Sequence, residues 1–112
     1  MKLVIAYINP FKLDEVRDAL KEAGVGGLSA GNVQGFGRQG GHTEVYRGAE
    51  YQVDLVPKVR VEVVVPFGEA DRIAEVIAGA ARTGSIGDGK IWVTDLDGLR
   101  RIRTGERGDD AL

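Results

Sequence analysis

The chain has 112 residues, no cysteine and a net charge of only -2. This length fits one domain, and the lack of cysteine excludes a disulfide framework and a thiolate metal site. Glycine occurs 17 times, roughly twice its usual share, but the strict three-residue period of collagen is missing. With 43% hydrophobic residues the chain is too apolar for a disordered linker, and its slightly acidic balance argues against general nucleic-acid binding.

The first part of the chain contains a predicted strand, helix and strand. Residues 2–8 are mostly apolar and predict a buried strand. Residues 12–23 carry apolar side chains at helical spacing and predict an amphipathic helix, with Gly24 in the position of a C-cap. Residues 28–36 predict a weaker strand that glycines interrupt. The apolar run at the start is too short for a membrane span, so we expect a soluble, cytoplasmic protein.

A long segment without sustained periodicity follows, from residue 37 to residue 55. We interpret it as an exposed loop, and loops beyond ~15 residues inside a compact domain are usually functional or mobile. Residues 51–55 alternate and could extend the next strand. The only histidine, His42, lies in this segment without a second catalytic or metal-binding partner, so we assign it no catalytic role.

The second part of the chain repeats the same order of elements. Its predicted parts are a strand at 59–65, a helix at 69–82, a glycine loop at 84–89, a strand at 91–94, a turn or edge segment at 99–103 and a flexible tail at 105–112. This order is typical of the α+β, ferredoxin-like βαββαβ sandwich, with both helices on one sheet face. Alternation places Val64 and Trp92 on the other face, which we expect self-association to cover.

The strongest chemical motif is the sequence GSIGDGK at residues 84–90. It resembles a P-loop, but Ile91 stands where serine or threonine is required, and the helix precedes the loop, which excludes a P-loop NTPase. Glycines still allow successive N–H groups to converge on an anion, and Lys90 adds a charge. A phosphate site and a plain helix-to-strand turn both remain open. Arg101 and Arg103 would lie on one side of an extended segment, where they could bind phosphate oxygens or form a solvated charged edge.

Three other features are weaker signals. Residues 35–40 match G-x-G-x-x-G, but no helix follows, so a dinucleotide site of the Rossmann type is disfavoured. Lys58 could pair with a carboxylate ligand or be an ordinary surface lysine. Tyr46 and Tyr51 lie in the long loop. They could be docking anchors, targets of modification or packed side chains. No pair of base and nucleophile stands out, so we expect no enzyme and at most trace ATPase activity.

Two long stretches resemble the signatures of the PII nitrogen-regulatory signal proteins. Residues 46–51, YRGAEY, resemble the loop signature of that family, and residues 83–93, TGSIGDGKIWV, resemble its second signature. Shorter matches occur at 9–14, 35–39 and 101–106. The resemblance covers residues 1–112 as one PII-like domain, with 37–55 as an exposed regulatory loop.

This resemblance implies a homotrimer of ferredoxin-like subunits that binds ATP or ADP in each cleft between subunits, together with Mg²⁺ and 2-oxoglutarate. It assigns nucleotide contacts to Ser29, Gly35, Gly37, Arg38, Gln39, Glu62, Val64, Gly87, Asp88, Gly89, Lys90, Arg101 and Arg103. It assigns 2-oxoglutarate contacts to Gln39, Gly41, Lys58 and Gly87. Gln39 would also coordinate Mg²⁺, with the ATP phosphates and 2-oxoglutarate. Tyr51 would accept UMP or AMP.

The implied partners are an ammonium channel, a glutamine synthetase adenylyltransferase, a sensor kinase or other nitrogen-metabolism enzymes, and a nucleotidylyltransferase. Nucleic acid is not among them, and a membrane would be reached only through a channel partner. Asn9, Ser29 and Gly40 depart from the usual lysine, threonine and lysine of the family. The alternative function is a small enzyme that hydrolyses nucleotides or transfers phosphate, and measured turnover would separate it from a regulator. An RNA-binding domain is disfavoured because the strand at 59–65 carries no aromatic residue.

Overall fold

The computed structural model describes residues 1–37, 42–46, 49–53 and 55–112, and for the two middle ranges only the backbone. The strands are β1 (Lys2–Ile8), β2 (Ser29–Gly35), β3 (His42–Tyr46), β4 (Ala49–Val53), β5 (Val56–Val65) and β6 (Lys90–Asp95). The α-helices are α1 (Leu13–Glu22) and α2 (Ala70–Ala81), and each follows a single 3₁₀ turn, Pro10–Lys12 and Phe67–Glu69 respectively. None of the helices in the described ranges is long and apolar enough to cross a membrane.

Four strands form the main sheet, in the order β2-β5-β1-β6. Every neighbouring pair is antiparallel. The two strands that precede the helices, β1 and β5, are therefore central, and the strands that follow the helices are at the edges. This order confirms the predicted α+β, ferredoxin-like fold.

The core lies between the two helices and one face of this sheet. Alternate residues of β1 and β5 point into it, since side chains of a strand alternate between faces. The buried sheet residues are Val4, Ala6, Ile8, Val59, Val61, Val63 and Val65, and the buried helix residues include Val16, Leu20, Ile73 and Ile77. Each large aliphatic side chain buried in this way contributes about 1.5–3 kcal/mol of hydrophobic free energy, and no buried polar or charged residue interrupts the described core.

On the opposite face of the sheet, the described part of the chain places no helix. Ile5 lies at the centre of this face and is only 6% exposed, because its cross-strand neighbours are Glu62 on β5 and Trp92 on β6. The ring of Trp92 packs edge-to-face on Tyr7 with centroids 4.9 Å apart, yet Trp92 remains 42% exposed. The sheet thus presents an apolar face that the chain alone covers incompletely, and we call it the open face.

The structure differs from the sequence prediction in the long segment at 37–55. It contains two short strands, β3 and β4, which pair antiparallel with each other in a separate sheet. Residues 51–53 belong to β4 and do not extend β5 along the main sheet. Residues 38–41, 47–48 and 54 lie outside the described residues.

The segment after β6 also differs from its prediction. Arg101 and Arg103 lie in a hydrogen-bonded turn rather than an extended strand, so the alternation expected to bring their side chains together does not apply. Gly105 N–H donates to the carbonyl of Arg101 at 2.8 Å, and Gly108 N–H donates to the carbonyl of Leu99 at 3.1 Å. The C-terminal residues fold back through these bonds and include a 3₁₀ turn at Gly108–Ala111, and the flexibility expected for residues 105–112 stays a prediction.

Candidate functional site

The glycine loop between α2 and β6 is built from three glycines with positive φ. Helix α2 ends at Ala81, after which Arg82 is extended with φ -70° and ψ 132°. Gly84, Gly87 and Gly89 follow with φ of 88°, 101° and 107°. Side chains with a Cβ rarely adopt this left-handed region, so the backbone path of the loop requires its glycines. This is the physical reason for the motif seen in the sequence.

The carboxylate of Asp88 closes the loop from within. It accepts hydrogen bonds from the N–H of Thr83 at 2.8 Å, from the N–H of Gly84 at 2.9 Å and from the hydroxyl of Thr83. The side-chain and backbone hydrogen bonds from Thr83 hold the pKa of Asp88 below its ordinary value, since they favour the charged form. Asp88, predicted as a nucleotide contact, therefore has an internal role in shaping the loop.

A cavity of about 440 Å³ lies beside this loop. Seven of the predicted site residues line it: Gly35, Gly37, Lys58, Gly87, Asp88, Gly89 and Lys90. Five lining residues were not predicted as site residues: Tyr7, Phe36, Ser85, Ile86 and Trp92. Alternation along β1 could have identified Tyr7, because it is the penultimate residue of the strand and falls on the open face. Ser85 and Ile86 lie within the motif at 84–90.

Lys58 joins three parts of the molecule at the wall of this cavity. Its ammonium donates a hydrogen bond to Oδ1 of Asn9 at 2.7 Å and another to the carbonyl of Gly87. Strand β5, the end of β1 and the glycine loop thus meet at one positively charged group. Lys90 begins β6 on the other side of the loop and also lines the cavity. Two ammonium groups and a glycine loop are suited to a phosphate or carboxylate ligand.

A second group of predicted residues lies in a different cavity, of about 810 Å³. It is lined by residues that include Ser29, Glu62, Val64 and Arg101. Arg101 donates to Oε1 of Glu106 at 3.0 Å and to the carbonyl oxygen of Leu112 at 2.8 Å. Arg103 is exposed in the adjoining turn and lines neither of these two cavities. The chain therefore separates its predicted nucleotide residues into two places.

Four other predicted site residues lie in the segment at 37–55. Arg38, Gln39 and Gly41 lie outside the described residues. Tyr51 lies on β4, where its backbone pairs with Glu44, and its side chain is not described. Residues 1–37 and 55–112 contain no group of three histidine or acidic side chains that could hold a metal ion.

Gly89 brings the loop into close contact with β1. A Cβ on Gly89 would lie 1.7 Å from the carbonyl oxygen of Tyr7, so the loop packs directly on β1 and its main chain forms the cavity wall. The fold and this cavity together define a small ferredoxin-like α+β protein with a glycine-lined cavity whose charged lining residues are Lys58, Lys90 and Asp88.

Comparison with known proteins identifies the family. Residues 1–106 match the family described as nitrogen regulatory protein P-II. The nitrogen regulatory protein P-II of Rhodobacter capsulatus is 61% identical over 112 residues, all of both chains. Those of Azospirillum brasilense and Escherichia coli strain K12, the latter called P-II 1, are 56% and 55% identical over the same full length. The chain belongs to the nitrogen regulatory protein P-II family, a family whose name describes regulation.

Proposed function

We propose that the protein is a trimeric signal-transducing regulator of nitrogen metabolism. It binds ATP or ADP, and 2-oxoglutarate with Mg²⁺, at the interfaces between subunits. Its targets include an ammonium channel, a glutamine synthetase adenylyltransferase, a sensor kinase or related enzymes, and the long segment at 37–55 contacts them. Tyr51 is the acceptor of a nucleotidyl group.

The observation that carries this proposal is the cavity beside the glycine loop. Lys58 and Lys90 supply positive charge to its lining, and the left-handed glycines at 84, 87 and 89 expose the loop backbone. Phosphate oxygens are favoured by such a combination of main-chain N–H groups and ammonium groups. Lys58 is the group for a carboxylate of 2-oxoglutarate, and Gln39 supplies a ligand for Mg²⁺ beside the phosphates. The bound metal would neutralise phosphate charge.

The positions of the predicted nucleotide contacts support a site shared between subunits. Ser29 and Gly35 lie at opposite ends of β2, about 20 Å apart at ~3.3 Å per residue. Gly35 lines the cavity beside the glycine loop, and Ser29 lines the one that contains Arg101. One nucleotide would reach both groups if one subunit supplies the glycine loop and its neighbour supplies Ser29, Arg101 and Arg103. The open face provides an apolar surface for this association.

The long segment is well placed to report the ligand. It leaves the main sheet after β2, near Gly35 and Gly37, and returns at β5, near Lys58. All three of these residues line the cavity beside the glycine loop. A ligand that contacts both ends of the segment would favour one of its conformations, and a coupling of ~1–3 kcal/mol is enough to change partner choice.

Calorimetric titration tests this function. We expect Mg²⁺-ATP to tighten 2-oxoglutarate binding by roughly 5- to 150-fold, and 2-oxoglutarate to tighten ATP binding by the same factor. Lys58→Met should remove this linkage and retain most of the ATP affinity. Absence of linkage in the unaltered protein would exclude the sensor function. A hydrolysing enzyme would instead release phosphate steadily from ATP, and we expect no more than trace release.

A further inference from the structure

The ammonium group of Lys58 has two defined hydrogen-bond partners at the wall of this cavity. It is partly buried, and its two hydrogen-bond acceptors, Oδ1 of Asn9 and the carbonyl of Gly87, are both electrically neutral. Among residues 1–37 and 55–112, no carboxylate forms an ion pair with it. The ammonium group has three N–H donors and no acceptor. Two donors are used by these contacts, so within residues 1–37 and 55–112 the third donor has no protein acceptor.

The backbone of Asn9, which lies next to this ammonium group, is restrained on both sides. It follows β1 and precedes Pro10, and proline restricts the preceding residue to an extended backbone, which Asn9 adopts with φ -66° and ψ 139°. Its carbonyl accepts the N–H of Lys12 at 3.0 Å. An asparagine at the start of a helical turn commonly caps it through the side chain, but here the side chain makes no capping bond and its oxygen faces Lys58 instead.

Of these two residues, only Lys58 lines the cavity. We propose that Asn9 is a positioning residue that fixes the ammonium of Lys58 at the glycine loop without neutralising its charge, and so sets the affinity of the cavity for a dicarboxylate. This inference rests on the proposed function, in which Lys58 receives a carboxylate of 2-oxoglutarate. A carboxylate at position 9 would keep the hydrogen bond but pair with the ammonium. The ligand would then have to compete with an internal anion.

Two substitutions separate the charge of Asn9 from its hydrogen bond. Asn9→Asp keeps the shape and the acceptor and adds only a negative charge. We expect it to weaken 2-oxoglutarate binding by at least about ten-fold, because a unit charge at hydrogen-bond distance from Lys58 acts strongly on its partner. ATP, bound through other groups, should weaken by no more than about three-fold, since solvent screens the longer distance. Asn9→Leu removes the acceptor and should weaken 2-oxoglutarate binding by only about three-fold.

Thermal stability gives the readout that a purely structural role would not produce. Asn9→Asp should melt at the temperature of the unaltered protein or above it, because it gains an ion pair with Lys58. Asn9→Leu should melt lower, because the ammonium loses an acceptor. The order of the two variants in stability is therefore the reverse of their order in 2-oxoglutarate affinity. If affinity follows stability across the three proteins, or if Asn9→Asp binds 2-oxoglutarate like the unaltered protein, the inference is wrong.

A ligand-free measurement keeps this inference distinct from the proposed function. In the unaltered protein without ligand, the ammonium of Lys58 should give a slowly exchanging ¹H–¹⁵N signal at low temperature, assigned by its loss in Lys58→Met. The signal should persist in Asn9→Asp and disappear in Asn9→Leu. If the unaltered protein binds no 2-oxoglutarate, the proposed function fails while this signal still tests whether Asn9 holds Lys58. A signal that persists in Asn9→Leu would overturn the positioning role.

Discussion

At Gly89 the glycine loop comes closest to the main sheet. The residue has φ of 107°, and a Cβ there would lie 1.7 Å from the carbonyl oxygen and 2.8 Å from the carbonyl carbon of Tyr7. Both neighbours are backbone atoms of a central strand and cannot move aside as a flexible side chain would. Gly84 has a similar φ of 88°, but a Cβ there meets nothing within 4 Å. A side chain at Gly84 would therefore meet backbone strain alone, whereas a side chain at Gly89 would meet both backbone strain and a steric clash.

We predict that Gly89→Ala destabilises the protein much more than Gly84→Ala. The Gly84 variant should cost only the left-handed strain of a non-glycine residue, about 1–2 kcal/mol. The Gly89 variant adds displacement of the loop from β1, which brings its cost to about 3 kcal/mol or more. Urea unfolding followed by the fluorescence of Trp92 measures both. Equal costs for the two variants would contradict the close approach of the loop to Tyr7.

The glycine loop as an element depends on the charge of Asp88. Hydrogen bonds from Thr83 and Gly84 stabilise the carboxylate, and those from Thr83 contribute most to lowering its pKa. The folded pKa thus lies below the unfolded pKa. The contribution of Asp88 to stability is therefore complete above the ordinary carboxyl pKa and is lost as the pH falls through the folded pKa.

We predict that Asp88→Asn lowers the melting temperature at neutral pH, and that its difference from the unaltered protein shrinks as the pH falls below about 4. Asp95, whose pKa the ammonium of Lys2 also lowers, is present in both proteins and cancels in the comparison. Hydrogen exchange at the N–H groups of Thr83 and Gly84 should be faster in the variant. A difference in melting temperature that stays constant across the acid range would contradict this role of Asp88.

The elements that sequence patterns predicted well are those with one face in the core. The alternating valines of β5 and the apolar stripe of α1 mark that face directly, since burial repeats with the period of the element. Strands β3 and β4 escaped prediction because, within the described residues, they pair with each other and not with the main sheet, and their sequences show no such periodic apolar face. The C-terminal turn escaped because hydrogen bonds such as that of Gly108 to Leu99 leave no periodic signal.

The candidate site was likewise predictable only in part from the sequence. Its glycines and Lys90 form one continuous motif whose chemistry can be read locally. The contact between Asn9 and Lys58 joins residues 49 positions apart, and only the pairing of β1 with β5 brings them together. Tyr7 and Trp92 meet through the pairing of β1 with β6. Contacts of this kind depend on strand register, which one sequence does not specify by itself.

At the scale of the whole molecule, the open face is the surface that we propose for association between subunits. Trp92 is 42% exposed there beside Tyr7 and the nearly buried Ile5, and such an apolar patch is costly to leave in water. We predict that Trp92→Glu, which places a charge in this patch, converts a trimer of 12.0 kDa chains into monomers. Light scattering at micromolar concentration measures the mass.

Phe67→Glu is the matched control. Phe67 is more exposed, at 75%, but lies in the 3₁₀ turn before α2 and near Lys2, so the trimer of this variant should persist. A monomeric unaltered protein that binds ATP, or a trimeric Trp92→Glu variant, would show that the open face is not the subunit interface.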